Sequence, residues 1–302
     1  FNLTNKIFKI NKILNYENYI IHSHALRTGL LASLMKLFFR KKFLYTNHGL
    51  RFTQKKGLKK IYFFLIEILI LLLSEKYICI RKTDYYFLKK FLLLYFLKKK
   101  IKIIKLRLNI NDEFRNLDYS SKFKSPFKIY AIGSIEKVKN PKKFLDWIAI
   151  LKKYNISYEA FWIGEGKLKN ELIKISKEKQ LRIKWLGQLQ KEKVYEHLSK
   201  ATFLMQTSLF EVYPTVVLEA FLFGTPVISS SYFGVSELIN DFRNGIIIDD
   251  IKLDEAKLIS IFKNKNKYFL MSKFCRNEFI NSHQNHKITA EFYLNIYENL
   301  SY

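Results

Sequence analysis

Short apolar runs alternate with longer segments of helical spacing along the first third of the chain. This alternation is typical of a parallel sheet whose strands are connected by helices. The sequence therefore predicts an α/β domain here, with strands at residues 19–24, 42–49, 76–80 and 101–106 and helices at residues 27–38, 55–74 and 82–97.

The second half of the chain repeats the pattern with six apolar runs, which are expected to be strands at residues 128–132, 158–163, 182–185, 202–206, 226–229 and 245–248. Six strands with intervening helices make a complete doubly wound domain. The polar segment between the two halves holds the join. We therefore predict a first domain over residues 1–122, a second over residues 123–285, and a final helix within residues 286–302.

One segment, residues 208–239, places two glutamates, Glu211 and Glu219, around a helix expected to begin at Pro214. Proline suits the first helical position, because its ring presets φ and its missing N–H would be unpaired there anyway. The free N–H groups of Thr215 and Val216, together with the positive end of the helix dipole, make a site for a diphosphate.

Glu219 is the only charge between Val212 and Ser236. It shares a helix face with Thr215, four residues earlier. A carboxylate in such an apolar run needs partners, and the hydroxyls of a ribose would serve. The alternative is that Glu211 and Glu219 are ordinary solvated surface charges.

At these residues the chain resembles the retaining, nucleotide-sugar-dependent glycosyltransferases of the family-4 type, also called glycosyl transferases group 1. Those enzymes have the GT-B fold, in which two Rossmann-like, doubly wound domains face each other across a cleft. Each matching piece is weak alone, but their order and spacing together are specific. Besides residues 208–239, the resemblance runs through residues 20–32, 45–49, 131–145, 161–172 and 185–189.

The resemblance implies roles for individual residues. Glu211 is expected beside the donor sugar, Glu219 on the nucleoside ribose, and Lys139 on the diphosphate. His48, at the end of a predicted strand, corresponds to a histidine close to the donor sugar, whereas His22 and His24 are expected to be structural. The catalytic set is thus Glu211, Lys139 and His48, and the donor-binding set is Gly133, Ser134, Lys139, Leu189, Tyr213, Thr215, Val216 and Glu219.

Two departures from the family are visible. The family usually has arginine where this chain has Ser134, so one cation on the diphosphate is missing. Relatives also begin with a strand and a Gly-rich loop, whereas this chain starts at Phe1 and enters directly into apolar residues at helical spacing. We therefore expect that about one βαβ unit is missing and that the first domain is incomplete. The final helix resembles the one that crosses back to the first domain in GT-B enzymes.

The net charge of +27 would ordinarily suggest a nucleic acid or an anionic membrane as a partner. No nucleic-acid-binding module is recognisable, so we expect no such partner. The apolar window at residues 61–73 is too short to span a membrane and contains Glu67. It is either a core helix or a helix that faces an anionic membrane, since lysines flank it.

Other chemistries find no support. P-loop, dinucleotide-fingerprint, zinc-protease and nucleophile-elbow motifs are all absent from the sequence. The two cysteines have no neighbours at metal-ligand spacing, which fits a reducing cytosol. No Asp-x-Asp segment follows a strand, so we predict no metal and no cofactor, with Lys139 and the helix start opposing the charge of the leaving group.

The sequence thus predicts a retaining glycosyltransferase that moves a sugar from a nucleoside-diphosphate sugar to a glycan or polyprenyl-linked acceptor, in bacterial surface polysaccharide synthesis. The expected location is the cytoplasm, with peripheral contact to the inner face of the plasma membrane. Two alternatives stay open. The chain could be a GT-B-fold nucleotide-sugar epimerase, or a degenerate partner subunit without catalytic activity.

Overall fold

A computed structural model describes residues 19–91, 95–108 and 122–301 of the 302-residue chain. In chain order the strands are β1 Ile21–His24, β2 Phe43–Asn47, β3 Lys76–Cys79, β4 Ile101–Ile103, β5 Phe127–Ile132, β6 Tyr158–Ile163, β7 Ile183–Gly187, β8 Phe203–Gln206, β9 Val227–Ser230 and β10 Gly245–Ile248. The helices are α1 Leu26–Phe39, α2 Gly57–Leu73, α3 Lys82–Phe91, α4 Tyr95–Lys100, α5 Pro141–Lys153, α6 Lys169–Glu178, α7 Lys191–Lys200, α8 Thr215–Leu222, α9 Ile251–Lys263, α10 Lys265–Ser282 and α11 Lys287–Ser301.

Short 3₁₀ turns at Arg51–Gln54, Lys137–Lys139 and Val235–Glu237 complete the described elements. The predicted strands are all present, and their ends differ from the prediction by at most three residues. The single helix expected over residues 82–97 is described as α3 and α4, with residues 92–94 outside the described ranges.

The chain divides into two compact units, one of residues 1–107 and 285–302 and the other of residues 108–284. The predicted join falls in residues 109–121, which lie outside the described ranges, so the domain limits at residues 122 and 123 stay a prediction. The segment in which an opening strand was looked for, residues 1–18, also lies outside them.

The first unit contains a parallel sheet in the order β1-β2-β3-β4. Because right-handed crossovers in this order put every connecting helix on the same face, the opposite face needs a separate cover. The C-terminal helix α11 supplies it, since Ile296 packs against Leu44 and Ile78. Phe43 and Tyr45, which alternate with Leu44 along β2, belong to the core cluster on the other face.

The second unit contains a six-stranded parallel sheet in the order β7-β6-β5-β8-β9-β10. This is the doubly wound order, in which the chain starts at the centre, moves outward, and then returns to build the other half. The α/β class with two parallel sheets is therefore confirmed. The order reverses between β5 and β8, and the carboxyl ends of these two strands mark the place where such sheets leave a crevice.

The inner face of α2 carries one buried carboxyl group, Glu67, whose residue is 1% exposed. The Tyr77 hydroxyl donates a hydrogen bond to Glu67 Oε1, and the Tyr45 side chain is a second partner. Burial raises the pKa of Glu67 to about 7, and the two tyrosine hydrogen bonds only partly oppose this shift. The helix is thus a core helix on this face, as one of the two sequence interpretations required.

Glu67→Gln should make the stability of the first unit less sensitive to pH. A carboxyl group with a pKa raised from 4.5 to about 7 on folding contributes stability below pH 4.5, and this contribution is lost as the pH rises through 7. The free energy of unfolding of the variant, relative to wild type, should therefore grow by about 2 to 3 kcal/mol between pH 5 and pH 8. Urea unfolding across this range measures the difference. Glu298→Gln, on the exposed side of α11, is the control, and a difference as flat for Glu67 as for Glu298 would contradict the assignment.

Candidate functional site

The predicted donor-site residues of the second unit gather at the carboxyl edge of its sheet. Gly133 follows β5, Leu189 follows β7, and the loop that carries Glu211 follows β8. In parallel α/β sheets this edge is where ligands bind, at the switch in strand order. The candidate site is therefore built around the ends of β5 and β8.

Two glycines allow the ends of β5 and β6 to come close together. Gly133 and Gly164 have φ of 144° and 136°, which L side chains rarely adopt. A Cβ atom on Gly164 would lie 2.1 Å from the Gly133 carbonyl oxygen, and Gly133 N–H donates to the Ile163 carbonyl at 2.9 Å. Both positions thus require glycine, and no side chain covers the backbone after β5.

The side chain of Lys139 lies along this bare backbone. A Cβ atom on Gly133 would be 3.3 Å from Lys139 Cε, so any larger residue would press on the lysine. Lys139 Nζ donates to Glu211 Oε1 at 2.5 Å, and the two side chains are 26% and 12% exposed. The structure thus brings together two of the predicted catalytic residues, 72 positions apart, as a partly buried ion pair.

The loop after β8 holds Glu211 in place. Ser208 Oγ donates to Glu211 Oε1 at 2.6 Å, and Ser230 Oγ in turn donates to the Ser208 carbonyl at 2.6 Å. Leu209 N–H donates to the Val138 carbonyl at 2.9 Å, which joins the loop to the 3₁₀ turn that ends at Lys139. The carboxylate and the ammonium are therefore oriented by a shared network rather than by their own contact alone.

Helix α8 begins one residue later than the sequence predicted. Pro214 occupies the N-cap position, with φ −71° and an extended ψ of 106°, and the helix runs over Thr215–Leu222. The prediction that Pro214 is the first helical residue is wrong, because its ring fixes φ but leaves ψ free. Thr215 and Val216 are still in the first turn, where backbone N–H groups have no earlier carbonyl within the helix to bind.

Glu219 lies on α8 and is half-buried. Burial raises the pKa of its carboxyl group, and the nearby charge of Lys191 opposes the shift. Lys191 is the first residue of α7 and also lies over the ring of Tyr195, with 5.2 Å from Nζ to the ring centroid. The interpretation of Glu219 as a fully solvated charge therefore does not hold.

The other predicted donor-site residues are less closely tied to the ion pair. Ser134 is exposed beside Gly133, and Leu189 is half-buried after β7. Tyr213 is half-buried, with its ring centroid 6.2 Å from that of His283. These positions fit the predicted site edge, and their roles stay predictions.

His48 belongs to the first unit and has a partner that the sequence analysis assigned to structure. His24 Nδ1 and His48 Nε2 are 3.0 Å apart at the carboxyl ends of β1 and β2. Burial lowers the pKa of His48, with the charge of His24 as the second cause, so both rings are favoured in their neutral form at pH 7. The register of β1 against β2, which pairs His24 with Thr46, could have shown that the two imidazoles share one edge.

The sequence analysis also missed Ser208, which shares the Glu211 oxygen with Lys139. Its position three residues before Glu211 is the only feature of the sequence that hints at this contact. His22 was expected to be structural, and it donates to or accepts from Thr46 Oγ1 at 2.8 Å and Tyr297 Oη at 2.6 Å.

The chain is similar to bacterial enzymes that act on lipid-linked glycans. It is 32% identical over 174 residues to the Campylobacter jejuni GalNAc-alpha-(1->4)-GalNAc-alpha-(1->3)-diNAcBac-PP-undecaprenol alpha-1,4-N-acetyl-D-galactosaminyltransferase, an alignment that covers 56% of this chain and 47% of that enzyme. It is 25% identical over 290 residues to the Escherichia coli UDP-Gal:alpha-D-GlcNAc-diphosphoundecaprenol alpha-1,3-galactosyltransferase, which covers 91% of this chain and 74% of the relative. The chain thus spans about half the length of the first relative.

A solved structure shares the fold at low sequence identity. The crystal structure of Anabaena Alr3699/HepE in complex with UDP matches with a TM-score of 0.76 and 13% identity, over 97% of this chain and 81% of that chain. This likeness shows the fold alone, and it agrees with the GT-B class that the resemblance implied.

The family assignment rests on a direct match to the second unit. The sequence model of the Glycosyl transferases group 1 family matches residues 113–276, more than half of the chain. This range contains Gly133, Lys139, Glu211 and α8, the parts of the candidate site described above. The chain belongs to the family of glycosyl transferases group 1.

Proposed function

We propose that this protein is a retaining glycosyltransferase that moves a sugar from a nucleoside-diphosphate sugar to a glycan or polyprenyl-linked acceptor during the synthesis of a bacterial surface polysaccharide. The observation that carries the proposal is the Lys139–Glu211 ion pair at the switch point of the second sheet. UDP is the proposed nucleotide, since one relative is named for UDP-Gal and the Anabaena protein was crystallised with UDP.

The proposed donor pose follows from the charges at the site. The diphosphate would lie over the bare backbone at Gly133, where the Lys139 ammonium and the first N–H groups of α8 favour negative charge. Glu219 would accept hydrogen bonds from the ribose hydroxyls, which would satisfy its half-buried carboxylate. Leu189 would meet the base through its backbone, and Ser134 and Tyr213 would border the diphosphate and the sugar.

Reaction would break the bond between the anomeric carbon and the diphosphate oxygen, and the electron pair would leave with the nucleoside diphosphate. The acceptor oxygen would bond to the same face of the anomeric carbon and lose its proton. Positive charge grows on the sugar ring and negative charge on the leaving group in such a transition state. Lys139 would oppose the second of these charges, and Glu211 would position donor hydroxyls or stabilise the first. His48 stays a predicted contact of the donor sugar.

Glu211→Gln should lower kcat by about 100-fold or more while the Kd of UDP changes little, because the charge of Glu211 is needed mainly in the transition state. Transfer of radiolabelled sugar to a lipid-linked acceptor measures kcat, and calorimetry measures Kd. Glu171→Gln is the matched control, since Glu171 also pairs with a lysine, Lys142, but on the surface of α5 and α6.

A change in KM alone would show that Glu211 is a ground-state contact. Transfer should also survive EDTA, and strict dependence on a divalent metal would contradict the predicted metal-free mechanism. Conversion of the donor sugar without an acceptor would favour the epimerase alternative. UDP binding without any turnover would favour a non-catalytic partner subunit.

We further propose that α2 docks the first unit onto an anionic membrane, at the cytoplasmic face. No helix in the described ranges is long and apolar enough to cross a bilayer. The face of α2 opposite Glu67 is nevertheless apolar and exposed, and its most exposed residues recur at helical spacing: Leu58 84%, Ile61 56%, Tyr62 59%, Leu65 60% and Leu72 43%. Lysines at positions 55, 56, 59 and 60 flank its first turn, which suits an anionic leaflet.

Leu58→Gln/Leu65→Gln should weaken binding to phosphatidylglycerol-containing vesicles at least tenfold, because each leucine would otherwise bury apolar surface in the membrane interface. The matched control is Leu253→Gln/Leu270→Gln, since these leucines of the second unit are 84% and 59% exposed. Co-sedimentation measures the binding, which should also fall with added salt as the Debye length shortens. Equal loss in both variants, or equal binding to neutral vesicles, would refute this docking surface.

A further inference from the structure

The first unit contains a cavity of about 260 Å³ between the first turns of α1 and α2. Its walls are largely apolar and consist of Leu26, Leu30, Tyr62, Phe63 and Ile66. Two arginines, Arg27 of α1 and Arg51 of the following 3₁₀ turn, complete its lining. Since a water molecule occupies about 30 Å³, the cavity has room for roughly nine groups of that size.

The packing of α1 on α2 explains why the cavity lies at this end of the helices. A Cβ atom on Gly29 would be 2.6 Å from the Tyr45 ring and 2.9 Å from the Ile70 side chain, so α1 is in tight contact there. The cavity lies beside this contact, on the side where α1 follows β1 and α2 follows β2. It therefore belongs to the carboxyl edge of the first sheet, where α/β folds bind ligands.

Neither arginine of the cavity is neutralised within the described ranges. The recorded partner of Arg51 is the ring of Phe63, 5.4 Å from the guanidinium carbon to the ring centroid, and no carboxylate pairs with Arg27. The first turn of α1 contains no acidic residue, so Arg27 adds positive charge to a helix end that is already positive. An anion bound between the two guanidinium groups would offset this repulsion.

The chemistry of the cavity fits a phosphate group attached to a hydrocarbon chain. Guanidinium groups bind phosphate through paired N–H donors, whereas leucine, phenylalanine and isoleucine side chains favour hydrocarbon. Tyr62 lines the cavity and also belongs to the exposed apolar face of α2. A chain too long for the cavity could therefore continue along that face without crossing a polar surface.

We propose that this cavity binds the diphosphate and the first prenyl group of a polyprenyl-diphosphate-linked acceptor, with the rest of the chain following α2 toward the membrane. The proposal rests on the proposed function in one respect, namely that the acceptor is lipid-linked. It assigns to Arg27 and Arg51 a role in acceptor binding that is separate from the donor site of the second unit.

The test uses farnesyl diphosphate, below the concentration at which it forms micelles, titrated into the full chain by calorimetry. Farnesol lacks the phosphate groups and inorganic pyrophosphate lacks the chain, so both should bind at least tenfold more weakly. Arg51→Gln should weaken farnesyl diphosphate binding at least tenfold, and so should Arg27→Gln. Arg243→Gln should have no effect, although Arg243 likewise lies over an aromatic ring, that of Phe274 at 5.0 Å.

Because the readout is binding, it is independent of whether the chain transfers sugar. The Kd of UDP should be unchanged in both variants, which also shows that they fold. Equal affinity for farnesyl diphosphate and farnesol, or equal losses for Arg51→Gln and Arg243→Gln, would overturn the proposal. Short-chain phosphatidylglycerol that binds as tightly and with the same arginine dependence would also overturn it, because the cavity would then be a site for membrane phospholipid. Absence of transfer with intact, arginine-dependent binding would count against the proposed activity only.

Discussion

The ion pair between Lys139 and Glu211 is the contact around which the second unit is arranged. It joins the segment after β5 to the loop after β8, the two strands between which the sheet order reverses. The pair is only partly buried, so its attraction alone contributes modest stability. Its geometry depends on glycine at position 133, on Ser208, and on the hydrogen bond between Leu209 and Val138. These neighbours leave a cation beside bare backbone and a helix start, which is a suitable place for a diphosphate.

The two units use the carboxyl edges of their sheets for different chemistry. In the second unit this edge carries glycine turns, a lysine and two glutamates, which suit a polar ligand with a diphosphate. In the first unit the corresponding edge carries the His24–His48 pair and, beside it, a cavity with apolar walls and two arginines. The exposed apolar face of α2 begins at that cavity. The first unit thus has the features expected for a lipid-linked acceptor, and the second has those expected for a nucleotide sugar.

Much of this arrangement could be predicted from the sequence, because buried parallel strands are short apolar runs and helices have their own spacing. The strand ends then placed Gly133, Lys139, Glu211 and α8 at one edge. Contacts that depend on side-chain direction could not be predicted in this way. Ser208 and His24 have ordinary hydrogen-bonding side chains, and only the fold shows which atoms they meet. The α2 window was ambiguous because it is apolar on both faces, and the buried Glu67 shows which face is inside.

The central claim, that Lys139 belongs to the nucleotide site, is tested most directly by titrating UDP into wild type, Lys139→Met and Lys142→Met in a calorimeter. Lys142 is a lysine near Lys139 in the chain that pairs with Glu171 on the surface, so it controls for the loss of one positive charge. Our account predicts that Lys139→Met weakens UDP binding by about 10- to 100-fold, the usual effect of losing one charge-assisted contact, while Lys142→Met binds like wild type. Equal Kd values for all three proteins would contradict it.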